Sequence, residues 1–324
     1  MLHPVLRSGL AVLASIVLSC SLSARAQDYP NKAIRLVSPY AAGGGTDISL
    51  NLLRDRLTKK WGQPVIVEYR PGAAGNIGME SVFRSPPDGY TLLLMPTSPL
   101  AASKFLYSKL SFDPDGFVPV SMVADVPNVL LVHPRLPIET VQQFMDYAKA
   151  NPGKLNYANS SNGGITHLAL ESLQTLTGIK LTKIPFSGNA PAVTALLGGH
   201  VDMTLMVMNL ALPHIKAGSV RAIAVTSDKR SSLLPNVPTL AETYPGFIWR
   251  NASGVLAPPG TPPAIINKLG AEIAEIMRDA DVAKRYLEVS SLAVGNTPAE
   301  FSLYLKQESE AIGKAIRQLG LKLD

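Results

Sequence analysis

Three times in this chain a short apolar run passes through a glycine-bearing loop into a helical pattern. The stretches are "AIRLVSPYAAGGGTDISLNLL", "PVIVEYRPGAAGNIGMES" and "LNYANSSNGGITHLALESL". A β-rich run followed by 3.6-residue periodicity marks a strand feeding a helix. Repeated along a chain, that unit leaves few architectures open, chiefly α/β folds with largely parallel sheets. The loops also share a chemistry. Backbone N–H groups at a helix N-terminus point outward, and the aligned peptide dipoles add roughly half a positive charge there. The three loops, at 41–47, 72–78 and 160–167, are therefore candidate anion sites, although each taken alone also serves as a tight strand-to-helix turn with Thr46 or Thr166 as a cap.

The alternation continues beyond these loops. Strands are expected at 64–70, 90–98 and 221–227, with two more in "VSMVADVPNVLLVHP" and others at "KLTKIPF" and "VDMTLMVM". Helices are expected from about 47 to 61, 76 to 84, 140 to 151, 190 to 198, 263 to 278 and 298 to 319. The turn-rich "DPDGFVP" marks a change of territory, and "RAIAVTS" a return. The division expected is residues 1–26 as a leader, 27–100 with 226–324 as a discontinuous first lobe, and 101–225 as a second lobe. Lobes arranged in this way meet in a cleft, where ligands bind at the carboxyl ends of strands.

The first 26 residues carry a basic start at Arg7, an apolar run from about Gly9 to Leu18 and the small-residue site Ala24-Arg25-Ala26. This is the pattern of a secretory signal peptide cleaved after Ala26, and the apolar run is shorter than the roughly 20 residues needed to span a bilayer. Cys20 raises a lipoprotein alternative, which Leu18 fits poorly because that place usually holds a small residue. Cleavage after Ala26 removes Arg7 and Arg25, lowers the formal charge from +6 to +4 and leaves no cysteine. Disulfides, thiolate metal sites and a cysteine nucleophile are then excluded. A mild basic excess without Lys/Arg runs argues against nucleic acid and suits anionic small molecules.

Nucleotide binding does not survive inspection of the loops. The phosphate-loop pattern ends in Gly-Lys-Ser/Thr, whereas here the glycines are followed by Thr46-Asp47-Ile48; the dinucleotide pattern fails at Ile48. There is no G-x-S-x-G elbow, and His133, His167, His200 and His214 have no partner at metal-ligand spacing. No catalytic residue, metal or cofactor is expected. Asp47 is explained by its helix first turn and Asp202 by loop fixing, while His167 is read as orienting its loop. Small neutral donors surround the glycines: Thr46, Asn76, Ser160, Ser161, Asn162 and Thr166. Such donors suit a carboxylate, and two facing lobes would hold a dianion from both ends.

The residues closely resemble the Bug-type extracytoplasmic solute receptors, the binding components of the tripartite tricarboxylate transporter family. The resemblance runs from "YPNKAIRLVSPYAAGGGTD" through "GQPVIVEYRPGAAGNIGMESVFRSPPDGYTLLL", "NYANSSNGGITHLALESLQ", "IPFSGNAPAVTALLGGHVD" and "LPHIKAGSVRAIAVTSDKRSSLLPNVPTLAE" to "GVLAPPGTPP". It implies an α/β, two-lobe periplasmic-binding-protein fold (a Venus flytrap, type II-like, with mostly parallel sheets), periplasmic location and capture of a small organic carboxylate. It implies as ligand-holding loops Ala41, Ala42, Gly43, Gly44, Gly45, Thr46 and Asp47 in one lobe, and Ser160, Ser161, Gly163, Gly164 and Thr166 in the other. Gly75, Asn76, Thr97, Ser98, Phe186 and Asn189 are implied as further cleft residues. Met206 stands where relatives frequently carry an aspartate; it is expected either to pack in the core or to make the cleft wall more apolar. A monomer is expected, its partners being the membrane permease subunits of a tripartite transporter or, alternatively, the ectodomain of a membrane sensor.

Overall fold

The computed structural model describes residues 29–42, 46–160, 164–186 and 188–322. The leader and cleavage site, and Gly43, Gly44, Gly45, Ser161 and Gly163, lie outside the described residues.

In chain order, β1 (Ile34–Ser38) leads to α1 (Asp47–Trp61), β2 (Val65–Tyr69), α2 (Asn76–Phe83), β3 (Thr91–Pro96) and α3 (Thr97–Leu106). β4 (Val118–Val132), α4 (Val141–Ala150), β5 (Asn156–Asn159), α5 (Ile165–Thr177), β6 (Thr182–Pro185) and α6 (Asn189–Leu197) follow. Next come β7 (Met203–Val207), α7 (Met208–Lys216), β8 (Arg221–Val225), α8 (Leu240–Thr243) and β9 (Arg250–Ala257). The chain finishes with α9 (Pro263–Arg278), α10 (Ala280–Glu288), β10 (Leu292–Ala293) and α11 (Pro298–Leu319).

Two groups of parallel strands are joined through antiparallel ones. β2-β1-β3 run parallel at one end, β7-β5-β6 at the other, and β9 and β4 connect them in antiparallel pairings. Val118 to Pro127 of β4 pair with β9, whereas Asn128 to Val132 pair with β7. The "VSMVADVPNVLLV" region is thus one strand of 15 residues rather than the two expected. Pro127 stands where the ladder changes partner, a place where a missing N–H is tolerated. β8 pairs with residues 129–132 of β4, so "RAIAVTS" stays with the second strand group, and the chain returns through β9.

The crossing is held by a compact set of buried polar groups. Asn128 and Thr226 are fully buried. The Asn128 amide donates to the Trp249 carbonyl at 3.1 Å, Asn251 donates to Asn128 Oδ1 at 2.6 Å, and the Thr226 hydroxyl donates to the same Trp249 carbonyl. Backbone bonds from Thr226 N to Asn128 O at 3.0 Å and from Trp249 N to Thr226 O at 2.9 Å complete the knot.

Helices form where their apolar spacing meets the sheet. α1 buries Leu50, Leu53 and Leu57 on one stripe, carries Asp47 in its first turn and Lys59 and Lys60 in its last, and stops at left-handed Gly62. α11 opens with a capping box in which Thr297 and Glu300 bond each other's backbone, with Pro298 in the first turn, and ends at left-handed Gly320. Gly313 lets α11 approach α3 closely: a Cβ there would stand 2.4 Å from the Phe105 ring. α3 and α10 were not anticipated in sequence, and His214 sits in the last turn of α7.

Phe301 anchors α11 to the sheet, fully buried among Phe117, Met122, Ala252 and Leu256, with its ring over Gly254. Truncating such a ring removes its transfer energy and leaves a cavity. Phe301→Ala is expected to cost about 3–5 kcal/mol, read as a lowered midpoint in chemical denaturation.

Candidate functional site

A cavity of about 380 Å³ opens between the two strand groups, within the usual size of small-molecule sites. One wall comes from the first group: Tyr40 after β1, Ala74 and Asn76 at the start of α2, and Pro96 and Ser98 at the start of α3. The facing wall is Gly164, Ile165 and Leu168 at the start of α5. Asn251 of β9 and Ile312 of α11 also line it. Three helix N-termini therefore reach one cavity, and no lysine or arginine lines it among the described residues. Each N-terminus favours an anion by roughly 0.3–1 kcal/mol when exposed and up to about 2 when partly buried.

Local backbone geometry sets this up. Ahead of α2 the chain passes through Gly72 (φ 134°), Ala73 (46°), Ala74 (53°) and Gly75 (99°). Two alanines in left-handed backbone cost roughly 1–2 kcal/mol each, a strain that collects at functional sites. The turn places Asn76 at the helix start, with the hydroxyl of Tyr40 against Gly75: a Cβ added there would meet it at 3.3 Å. Burial, with Tyr107 adding to it, pushes the Tyr40 phenol up to about 12, so this hydroxyl keeps its proton and remains a donor.

Of the residues implied by resemblance, Asn76, Ser98 and Gly164 line the cavity, with Gly75 beside them. Thr97 is fully buried next to Ser98, and its hydroxyl donates to the Ala252 carbonyl at 3.3 Å. Ala41 and Ala42 are exposed, and Thr46 is buried at the start of α1. Asp47 accepts a hydrogen bond from the Tyr69 hydroxyl. Ser160 and Thr166 are half-buried, flanking the second loop. Phe186 packs on the second group's core, and Asn189 is exposed at the start of α6; neither lines this cavity. Met206 is 4% exposed, opposite Val129 in β7 and within the same core as Leu196, also away from the cavity. The apolar wall comes instead from Leu106, Ile165, Leu168 and Ile312.

Sequence reasoning missed Tyr40, Tyr107, Asn251 and Ile312. Tyr40 had a signal, an aromatic at the strand end just ahead of the Ala-Ala-Gly loop. The other three arrive from distant segments through topology alone.

His167 follows the second loop, 2% exposed, with Nε2 3.3 Å from Lys183 Nζ and 3.7 Å from Glu171 Oε1. Burial, then Lys183, hold its pKa below the ordinary histidine value, so the ring is neutral near pH 7. Asp202 also fixes backbone, accepting from Asn156 N at 2.9 Å and pairing with Arg135 at 2.6 Å. No group of three or more His, Cys, Asp or Glu able to hold a metal occurs among the described residues. A groove of about 420 Å³ between α3 and α11 is lined by Lys104, Asp115 and Lys306 and takes in none of the glycine loops.

Comparison with known proteins places this cavity in context. Residues 50–321 match the family model described as the tripartite tricarboxylate transporter family receptor, TctC. Protein BugT of Bordetella pertussis is 36% identical over 97% of this chain and 98% of its own length. A UPF0065 protein from the tcbD-tcbE intergenic region of Pseudomonas sp. strain P51 is 34% identical, covering 94% of this chain and 93% of that protein. Among solved structures, a ligand-free TctC solute-binding protein from Polaromonas superposes with a TM-score of 0.82 at 29% identity, covering 90% of this chain and 99% of that one. An R. palustris protein solved with adipate gives 0.71 at 32% identity, covering 91% of this chain and 100% of that one. MatC of Rhodopseudomonas palustris, solved with malate, gives 0.67 at 29% identity, with 89% of this chain and all of that one covered. The chain belongs to the TctC/Bug receptor family of two-lobe periplasmic solute-binding proteins, which bind and do not catalyse.

Proposed function

We propose that this protein captures a small carboxylate between its lobes and delivers it to the membrane permease subunits of a tripartite tricarboxylate-type transporter. One observation carries the reading: helix starts from both strand groups, with Asn76, Ser98 and Gly164, meet across one cavity that has no basic side chain among the described residues. A carboxylate fits such a set because neutral donors and helix N-termini can share its charge without a lysine to neutralise it. The relatives solved with malate and adipate support the same ligand class.

The lobes divide where the ladder changes partner, at Pro127–Asn128 in β4 and Trp249–Arg250 entering β9. The Asn128 knot is the hinge between them. Superposition is better on the ligand-free relative than on the two ligand-bound ones despite lower or equal identity. This supports an open arrangement that closes on the ligand. The chain is exported through its leader, cleaved after Ala26, and works as a monomer.

A thermal-shift screen of the mature chain against mono-, di- and tricarboxylates tests the assignment. A ligand at 100 times its dissociation constant adds about 2.7 kcal/mol of stability, so a true ligand gives a clear rise in midpoint. No shift with any acid would remove the receptor assignment. For the best acid, Asn76→Ala is expected to weaken binding about ten-fold or more, the usual worth of a hydrogen bond to a charged group. Calorimetric titration of the variant checks this.

A further inference from the structure

Behind the cleft lies a second cavity, of about 280 Å³, between β9 and α11; it shares Ile165 and Ile312 with the first. Glu308 of α11 lines it, and its carboxylate is the group that reaches toward the cleft. Oε1 accepts from Ser98 Oγ at 2.9 Å and from the Tyr304 hydroxyl at 3.2 Å; the Thr97 hydroxyl also faces the carboxylate, and buried Oε2 has no partner within hydrogen-bond geometry among the described residues. Arg250 lines the same cavity but is engaged by Asp125 at 2.8 Å and Asp228 at 2.6 Å. Among the described residues the carboxylate is therefore buried without an ion pair of its own.

Ser98 belongs to both environments, since it lines the ligand cavity and bonds Glu308. A serine hydroxyl has one proton to donate. An ionised carboxylate only accepts, so while Glu308 is charged the Ser98 proton points at it and a lone pair faces the cleft. A protonated Glu308 has a donor of its own. It donates to the Ser98 oxygen, and the Ser98 proton turns to the cleft. The charged state also places a second negative group behind the ligand's anion, and the neutral state removes it.

We infer that Glu308 is a positioning residue for the ligand: its proton sets the direction of the Ser98 hydroxyl, so that carboxylate binding takes up a proton and weakens as pH rises. This rests on the receptor assignment above. Burial, reinforced by Asp125, raises the Glu308 carboxyl to about 7, against the lowering effect of Thr97, Ser98 and Tyr304. The groups facing it are Thr97 and Ser98 from α3, Tyr304 from α11, Arg250 from β9 and Asp125 from β4, with Asp228 beyond Arg250. α5 contributes only Ile165 to this cavity. Burial keeps Tyr304 protonated throughout. Asp125 and Arg250 are unchanged in the variants below, so any titration of theirs is common to all.

Two measurements on the mature chain test this. In carbon-13 spectra of glutamate-labelled, ligand-free protein, one carboxyl should titrate near neutrality. That resonance should be absent from Glu308→Gln, and its midpoint should rise in Ser98→Ala, which loses a donor to the carboxylate. Calorimetry with adipate, malate and benzoate, in buffers of different ionisation heat, reads the coupling. Binding by the wild type should weaken about ten-fold from about pH 6 to about pH 8, with proton uptake, as one linked group titrating midway requires. Glu308→Gln, which carries a donor at every pH, should bind at both values as the wild type does at the lower one, without proton uptake. A Glu308 resonance that titrates with the ordinary glutamates overturns the inference, as does a pH profile retained in Glu308→Gln. If no acid binds either protein at either pH, the receptor assignment falls, and this inference with it.

Discussion

The arrangement depends on the change of partner along a single strand. β4 belongs to one ladder up to Pro127 and to another from Asn128, and β9 returns the chain at the same level. A strand shared by two sheets makes them one body as far as chain continuity goes, and the bonds at the crossing fix the angle at which they meet. Those bonds come from Asn128, Thr226, Trp249 and Asn251, all but Asn251 buried. A fully satisfied polar knot is specific in geometry but contributes modest net energy, roughly 0.5–1.5 kcal/mol per bond. A hinge needs that combination: two defined sheets, and a low cost to change the angle between them.

The cavity follows from the same topology. Parallel strands deliver their helices from the carboxyl ends, so β2, β3 and β5 aim helix starts at the cavity between the strand groups. The anion's environment is then made from backbone and small neutral side chains, and selectivity falls to whatever fills the remaining wall. Here that wall is apolar, with Leu106, Ile165, Leu168 and Ile312 facing Tyr40 and Tyr107. An acid with a carbon body of matching size loses less on desolvation than a uniformly polar one, because the apolar wall offers no replacement for water's hydrogen bonds.

Much of this was legible in the residues. The span of α1 was read correctly because a leucine stripe begins at an acidic first turn and ends before glycine. Asn76 and Gly164, which line the candidate cavity, were named because glycine before a helix is local chemistry. The misses share a physical cause. β4 reads as two strands because Pro127 interrupts the apolar run, and only the exchange of partners makes a proline acceptable there. α3 was missed because "TSPLAASKFL" continues a strand-like apolar run without a break; Pro96 and Pro99 alone hint at a helix start. Met206 packs in the core, one of the two outcomes expected for it, because the pleat of β7 turns it toward Val129 and Leu196. Asn251 and Ile312 reach the cavity from the last third of the chain, which no local pattern encodes.

Glu308 is where fold and site bear on each other most directly. A carboxyl held above its unfolded value binds a proton more tightly in the folded chain, so its stabilising contribution is complete below the ordinary glutamate pKa. That contribution is lost as pH rises toward about 7, the direction opposite to a salt-bridged acid. A leucine or methionine at this position would fill the space between α11 and α3 without that dependence. The position is also unusual in reach. α11 packs on α3 through Gly313 and Phe105 in one lobe and sets Ile312 beside Ile165 of α5 in the other. An acid placed on this helix meets the lobe junction and a cleft hydroxyl together. A proton held there is therefore sensitive to what enters the cleft and to how the lobes sit, whereas an apolar side chain would register neither.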